Sequence, residues 1–364
     1  CGNHPGSELN PNHYATRRDF LNRMGTGFGA LALASLMADQ ARGQSASGLL
    51  APKQPHYPGT AKRVCHIYQS GAQPHIDTWD PKPDLAKSEA SKSAGRGRLL
   101  PTQFEFTKSG KSGLEMSSIW PELASKCADD LCVIRSCWTD VPAHDVATKI
   151  MTTGDFRLPK PSIGAWVTYG LGSDNQNLPA FIAMNPGGFP SEGPANWQAA
   201  FMPGAYQGTY VDPTNTRIEQ IIENIKGQFI GSSAEQRQQL DLLSKINEIH
   251  KQKRQSEGQL DARIQSFELA YRMQTDATEA FDLSKEPDHI LKLYGADSMN
   301  RAEAIQARQF ILARRLLERG VKFVQCWNGG WDLHNRIAAD GKTRAGAIDK
   351  PVAGFLQDLK QRGL

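Results

Sequence analysis

The sequence predicts an α/β fold in which a mostly parallel sheet is covered by helices on both faces. Three observations predict it. At 364 residues, 39% apolar and 22% charged, the chain has ordinary globular composition, which excludes disorder, collagen and coiled coil and leaves room for one large domain or two. Short apolar runs alternate with segments of helical period, the pattern of a parallel sheet with crossover helices. Glycine and proline concentrate between Gly154 and Pro213, as long shaped loops over a rigid scaffold require.

In chain order, Thr16-Arg17-Arg18-Asp19-Phe20-Leu21 comes first, followed by a weakly apolar stretch from Met24 to Ala38 and a polar run. Two adjacent fixed cations before such a stretch build a twin-arginine export signal. The apolar run is about 15 residues, shorter than the roughly 20 needed to cross a bilayer, so no permanent membrane span is expected. An amphipathic helix competes poorly, because Gly25, Gly27 and Gly29 disfavour helix and no polar face repeats. The expected partner is the twin-arginine export machinery, and the expected location is the periplasm or the exterior. That route carries folded proteins with metal or cofactor already inserted, which suits a metalloenzyme. Residues 1–60, the signal and a polar linker, are set apart from a folded body over residues 61–364.

Within the body, VCHIYQSG after Arg63 reads as a strand opening into a loop broken by Pro74, Pro81 and Pro83. Ile119 to Cys127 reads as a helix with Pro121 near its first turn, and Leu131 to Ser136 as a buried strand. Asp145 to Thr152 reads as a short helix ending at Gly154, and Pro179 to Met184 as another buried strand. From Thr216 to about Tyr294 the composition turns to Gln, Glu, Lys and Arg. Leu240, Leu243, Ile246 and Ile249, then Ile264, Phe267, Leu269 and Met273, recur there at helical spacing: a helical insertion, about residues 216–294, whose charges form a solvated face. Ala302 to Arg319 is a helix ended by Gly320. VKFVQCW is a strand, GGWDLHN the loop at its carboxyl end, and Asp349 starts a last helix toward Gly363.

Forty-two basic against thirty-eight acidic residues, spread along the chain, give no phosphate-backbone footprint, so nucleic acid is not an expected partner. Cys1, Cys65, Cys127, Cys132, Cys137 and Cys326 show no zinc-finger spacing and are expected as buried or half-buried thiols. No GxGxxG opens a helix, no phosphate-binding loop occurs and no GxSxG elbow is present, which removes nucleotide cofactors and the α/β-hydrolase triad.

In open α/β sheets ligands gather at the carboxyl ends of strands. Three strand-end loops hold the informative polar residues: Gln73, His75, Asp77 and Asp80; Ser136, Thr139, Asp140, His144 and Asp145; and Asp332 and His334. Carboxylate and imidazole donors on neighbouring loops are what a hydrolytic divalent-metal centre needs. An isolated Asp-x-His is more often a hydrogen-bonded loop than a ligand pair.

GAQPHIDTWDPKP from Gly71, the stretch from Thr152 to Gly172, LARRLLERGVKFVQ from Leu312, WDLH at Trp331 and the closing DLKQRGL resemble the exported domain of unknown function 1501 family of planctomycete-like bacteria. The resemblance covers essentially everything after the linker. It implies the alkaline phosphatase and sulfatase superfamily: a three-layer sandwich with metal ligands and a nucleophile at strand ends. Carried over position by position, it makes Asp77, His144, Asp332 and His334 the metal ligands. It makes Thr139 or Ser136 the nucleophile, and a divalent zinc, calcium or magnesium ion the cofactor. Gln73-Pro74-His75 stands where Pro-Ser-His is typical, so a serine role is lost. Family members continue beyond DLKQRGL into further ligand-bearing segments, so the resemblance implies an incomplete carboxyl-terminal part, impaired hydrolysis and an exposed sheet edge in these residues alone. The function implied is hydrolysis of phosphate or sulfate esters, on a small molecule or a polysaccharide. The alternative is a non-catalytic binding or accessory protein of the cell envelope that keeps the fold.

Overall fold

Alternation along one strand organises the molecule. Phe323–Asn328 is buried at every position, as a central strand covered on both faces must be. Its residues divide by the pleat. Val324 and Cys326 enter a large core with Ile182 and Met184, whereas Phe323 and Trp327 join Phe181, Ala183 and Trp197 on the other face. Helices cover both faces, giving the three-layer α/β architecture the sequence predicts.

The structure, a computed structural model, describes residues 49–71, 73–88, 99–215, 221, 233–253 and 279–364. The export signal lies outside the described residues, as does most of the 216–294 insertion with Ile264, Phe267, Leu269 and Met273. The described elements run β1 (Val64–Gln69), α1 (His75–Thr78), α2 (Pro83–Lys87), β2 (Phe106–Ser109), β3 (Leu114–Ser117), α3 (Pro121–Lys126), α4 (His144–Thr153) and α5 (Ile163–Leu171). They continue with β4 (Phe181–Met184), β5 (Thr209–Val211), α6 (Ser233–Lys253), α7 (Asp288–Tyr294), α8 (Arg301–Glu318), β6 (Phe323–Asn328) and α9 (Ile337–Arg362). The main sheet has the order β1-β6-β4-β5, and every pairing in it is parallel, with Val64 opposite Phe323 and Phe181 opposite the same residue. A separate antiparallel hairpin joins β2 to β3. Among the described residues no helix is long and apolar enough to cross a membrane.

The layer of α8 and α9 carries most of the core. Asn300 caps α8 by accepting from the Ala302 N–H at 3.1 Å. The helix is buried from Gln309 to Leu317, because it lies between β6 and α9. Gln309 donates from Nε2 to the carbonyls of Met184, at 3.3 Å, and Trp327, at 3.2 Å, so its buried amide nitrogen is satisfied by carbonyls at the ends of two strands. On the opposite face α5 packs against β4 and β6, its start capped by Ser162. Leu49 to Lys53 also pack there: Leu50 and Leu49 accept hydrogen bonds from the Ser173 N–H and the Tyr206 hydroxyl.

Several expectations change. Leu131 to Ser136 forms no strand, and Ile134 and Ser136 are exposed; strand-forming residues there have no ladder partner. Cys132 and Cys137 are exposed, whereas Cys127 and Cys326 are buried and Cys65 is half-buried. The last helix starts at Ile337, twelve residues before Asp349, and carries Pro351 in its interior. In α6, Leu240 of the first apolar series is buried, whereas Leu243 and Ile246 are exposed.

Candidate functional site

The loops after β1 and β6 are sewn together before any reactive side chain is placed. Ser70 donates its N–H to the Asn328 carbonyl and accepts from the Trp331 N–H, each at 3.1 Å. The Trp331 indole donates to Asn328 Oδ1 at 2.6 Å, and the ring lies buried against Trp120 with centroids 5.8 Å apart. Gly71 has φ +95°, and a Cβ there would fall 2.4 Å from the Asp332 backbone nitrogen. Only glycine fits that approach. Trp331 is thus the anchor, and Asp332 and His334 follow it on the exposed rim.

His144 comes from a different part of the chain, as the first residue of α4. That helix is seated on the sheet through Thr148, whose Oγ1 accepts from the Tyr68 hydroxyl at 3.0 Å, and Gly154 closes it in a left-handed conformation. His144 Nε2 lies 3.0 Å from Asp332 Oδ1, and His334 Nε2 lies 2.6 Å from the same oxygen. Three of the four expected metal ligands therefore meet, across 188 residues of sequence between His144 and Asp332, at the carboxyl end of β6.

Asp77 makes none of these contacts. It is buried, its Oδ1 accepts from Thr102 Oγ1 at 2.8 Å and from the Gln103 N–H at 3.1 Å, and its carbonyl accepts from Ser117 Oγ. These bonds tie the first loop to β3. Gln73, of the Gln73-Pro74-His75 departure, accepts from the Trp79 indole at 2.9 Å. Ser136 and Thr139 are exposed on the segment that runs into His144, and Thr139 Oγ1 accepts from the Val141 N–H at 3.2 Å. The strand expected to carry them is absent.

Two imidazole nitrogens and a carboxylate oxygen are the donor types and the ligand number of a catalytic zinc site. As placed, both rings lie against the same Asp332 oxygen. The 2.6 Å between His334 and Asp332 is closer than the separation of about 3.3 Å that two donors keep around a tetrahedral ion. Accordingly, no group of three or more His, Cys, Asp or Glu among the described residues is placed to hold a metal. The His334 side chain is 77% exposed, so it is the ring whose rotation would open that contact. Sequence reasoning missed the clamp behind the site. The paired glycines of GGWD and the Ser70-Gly71 pair were its only signal.

The family described as "Protein of unknown function (DUF1501)" matches residues 61–364. No curated protein and no solved structure matches the chain. With the match covering the whole body from the linker onward, the chain belongs to the DUF1501 family.

Proposed function

We propose that this chain is the body of an exported, metal-assisted hydrolase of phosphate or sulfate esters, with His144, Asp332 and His334 as the residues that hold the ion. The observation that carries the reading is the meeting of both imidazoles on Asp332 Oδ1, at 3.0 and 2.6 Å, where open α/β sheets place their ligands. The grouping with the alkaline phosphatase and sulfatase superfamily that the DUF1501 resemblance implies suggests the reaction class, and the arginine pair before Met24 supports export.

In this reading His144 Nε2, His334 Nε2 and an Asp332 carboxylate oxygen would turn from one another toward the ion, each ring binding through an unprotonated Nε2. The bound ion would supply charge for the ester oxygen and lower the pKa of a hydroxyl. Thr139 and Ser136 remain the candidate nucleophiles, on the exposed approach to His144. Asp77 acts by holding the first loop against β3. The Trp79 hydrogen bond at Gln73 and the close approach of both rings to one Asp332 oxygen favour the second reading, an envelope accessory protein that keeps the fold without turnover.

Elemental analysis beside a screen of aryl phosphates and aryl sulfates tests the first reading. The expected result is about one equivalent of divalent metal and turnover lost on His144→Ala, a drop of at least about 10² for a lost ligand. Substoichiometric metal together with no turnover overturns it in favour of the second.

A further inference from the structure

One cation beside this site has no counter-charge among the described residues. Arg344 projects from α9 onto the loop that carries Asp332. Its guanidinium lies where a side chain of Gly330 would be: a Cβ there would sit 2.6 Å from Cζ, 2.8 Å from Nη2 and 2.9 Å from Nη1. Gly330 itself has φ +85°, so this position both needs glycine and uses the vacated space to seat the guanidinium. The backbone that bears it is fixed, because Ala345 and Ile348 beside it on α9 are buried in the core, while Arg344 itself is exposed. Arg336, just before α9, pairs with Asp340 at 2.6 Å, and Arg362, at its end, pairs with Asp358 at 2.6 Å. Arg344 has no ion-pair partner among the described residues. The nearby Asp332 carboxylate is already held by two imidazoles.

We infer that Arg344 is the anion-reading residue of the site, the group that selects substrates with charged non-bridging oxygens. The inference rests on the hydrolase reading above and deepens it. A planar guanidinium presents parallel N–H donors that match two oxygens of a sulfate or phosphate group, and a fork held flat against backbone loses less freedom on binding than a mobile lysine. Arg344 positions the substrate; the bond that breaks belongs to the ester, and His144, Asp332 and His334 stand on the same loop and the facing helix.

Inorganic sulfate and inorganic phosphate, titrated calorimetrically into the chelator-treated chain, report this residue without any contribution from metal. Arg344→Gln is expected to weaken both anions about tenfold or more, the loss of one charge-assisted pair. Arg344→Lys is expected to fall between, because it keeps the charge and loses the fork. Gly330→Ala, which leaves Arg344 in the sequence but fills its seat, is expected to behave like Arg344→Gln. Equal anion affinity in wild type and Arg344→Gln, or no binding of either anion to wild type, overturns the inference. The hydrolase reading fails separately: anion binding lost in Arg344→Gln with no turnover by the metal-loaded wild type removes the activity and keeps the anion site. Turnover of a sulfate or phosphate ester with an unchanged KM in Arg344→Gln does the reverse.

Discussion

Asp349 shows how a single buried carboxylate can serve an element more than 200 residues away. It sits inside α9, accepts from the Glu122 N–H at 2.7 Å and the Leu123 N–H at 3.0 Å, and so caps the start of α3. Burial pushes its carboxyl up from 3.8 to about 6, although those two donors pull the other way. The folded chain therefore binds this proton more tightly than the unfolded chain, and stability falls as pH rises between the ordinary value and about 6. Asp349→Asn removes the titration, so its stability relative to wild type should rise across that window in denaturant melts; parallel curves contradict the assignment. Asp349→Ala, which loses both acceptors, should cost about 1–2 kcal/mol at neutral pH. At this scale the legible residues were the ones in a local pattern. Asp332 and His334 stand in Trp-Asp-x-His, and His144 heads a segment with a clear helix end at Gly154. Asp77 looked the same on paper, and only its contacts with Thr102 and Gln103 show it committed elsewhere.

Among elements, VCHIYQ, PAFIAM and VKFVQCW were readable as strands because each is short, apolar and bounded by turn residues. Leu131 to Ser136 has the same composition and forms none, since a ladder needs a partner and composition cannot supply one. The β2–β3 hairpin went unread for the opposite reason: Thr107 and Lys108 are exposed, so its pattern is polar, and only the Ser-Gly-Lys-Ser-Gly turn region signalled it. The start of α9 was set too late because Pro351 favours a first turn yet lies in the interior. The loop clamp yields its own prediction. Gly71→Ala places a methyl 2.4 Å from the Asp332 nitrogen at φ +95°, so it should cost more than about 1 kcal/mol and weaken metal binding by displacing Asp332. Unchanged melting and unchanged metal affinity would show that the two loops are not coupled.

At the scale of the whole molecule, a buried ionic network locks the outer helices to one another. Arg314 of α8 meets Glu286 at 2.6 Å, Glu318 at 2.7 Å and Asp358 of α9 at 3.1 Å. Arg315 also pairs with Glu286, and Tyr294 of α7 donates to Asp358 at 2.8 Å. Burial raises the Glu286 pKa while Arg315 and Arg314 outweigh it and hold the carboxyl below its usual range. Glu286→Ala removes the buried carboxylate that both guanidinium groups share and should destabilise the fold by about 3 kcal/mol in chemical denaturation; a cost near zero would show the network to be incidental. The sheet-and-helix architecture was legible because period and composition carry it, whereas this network joins positions with no sequence relation. The same separation applies to the site, where residues 188 positions apart share one carboxylate oxygen.

That shared oxygen is tested most directly by titrating zinc into the chain while following the ring nitrogens of His144 and His334 by nuclear magnetic resonance. Both rings should shift together, saturating at one equivalent, and both should stop responding in Asp332→Ala. Rings that respond at different stoichiometries, or that still respond together without Asp332, would contradict a single centre built on that carboxylate.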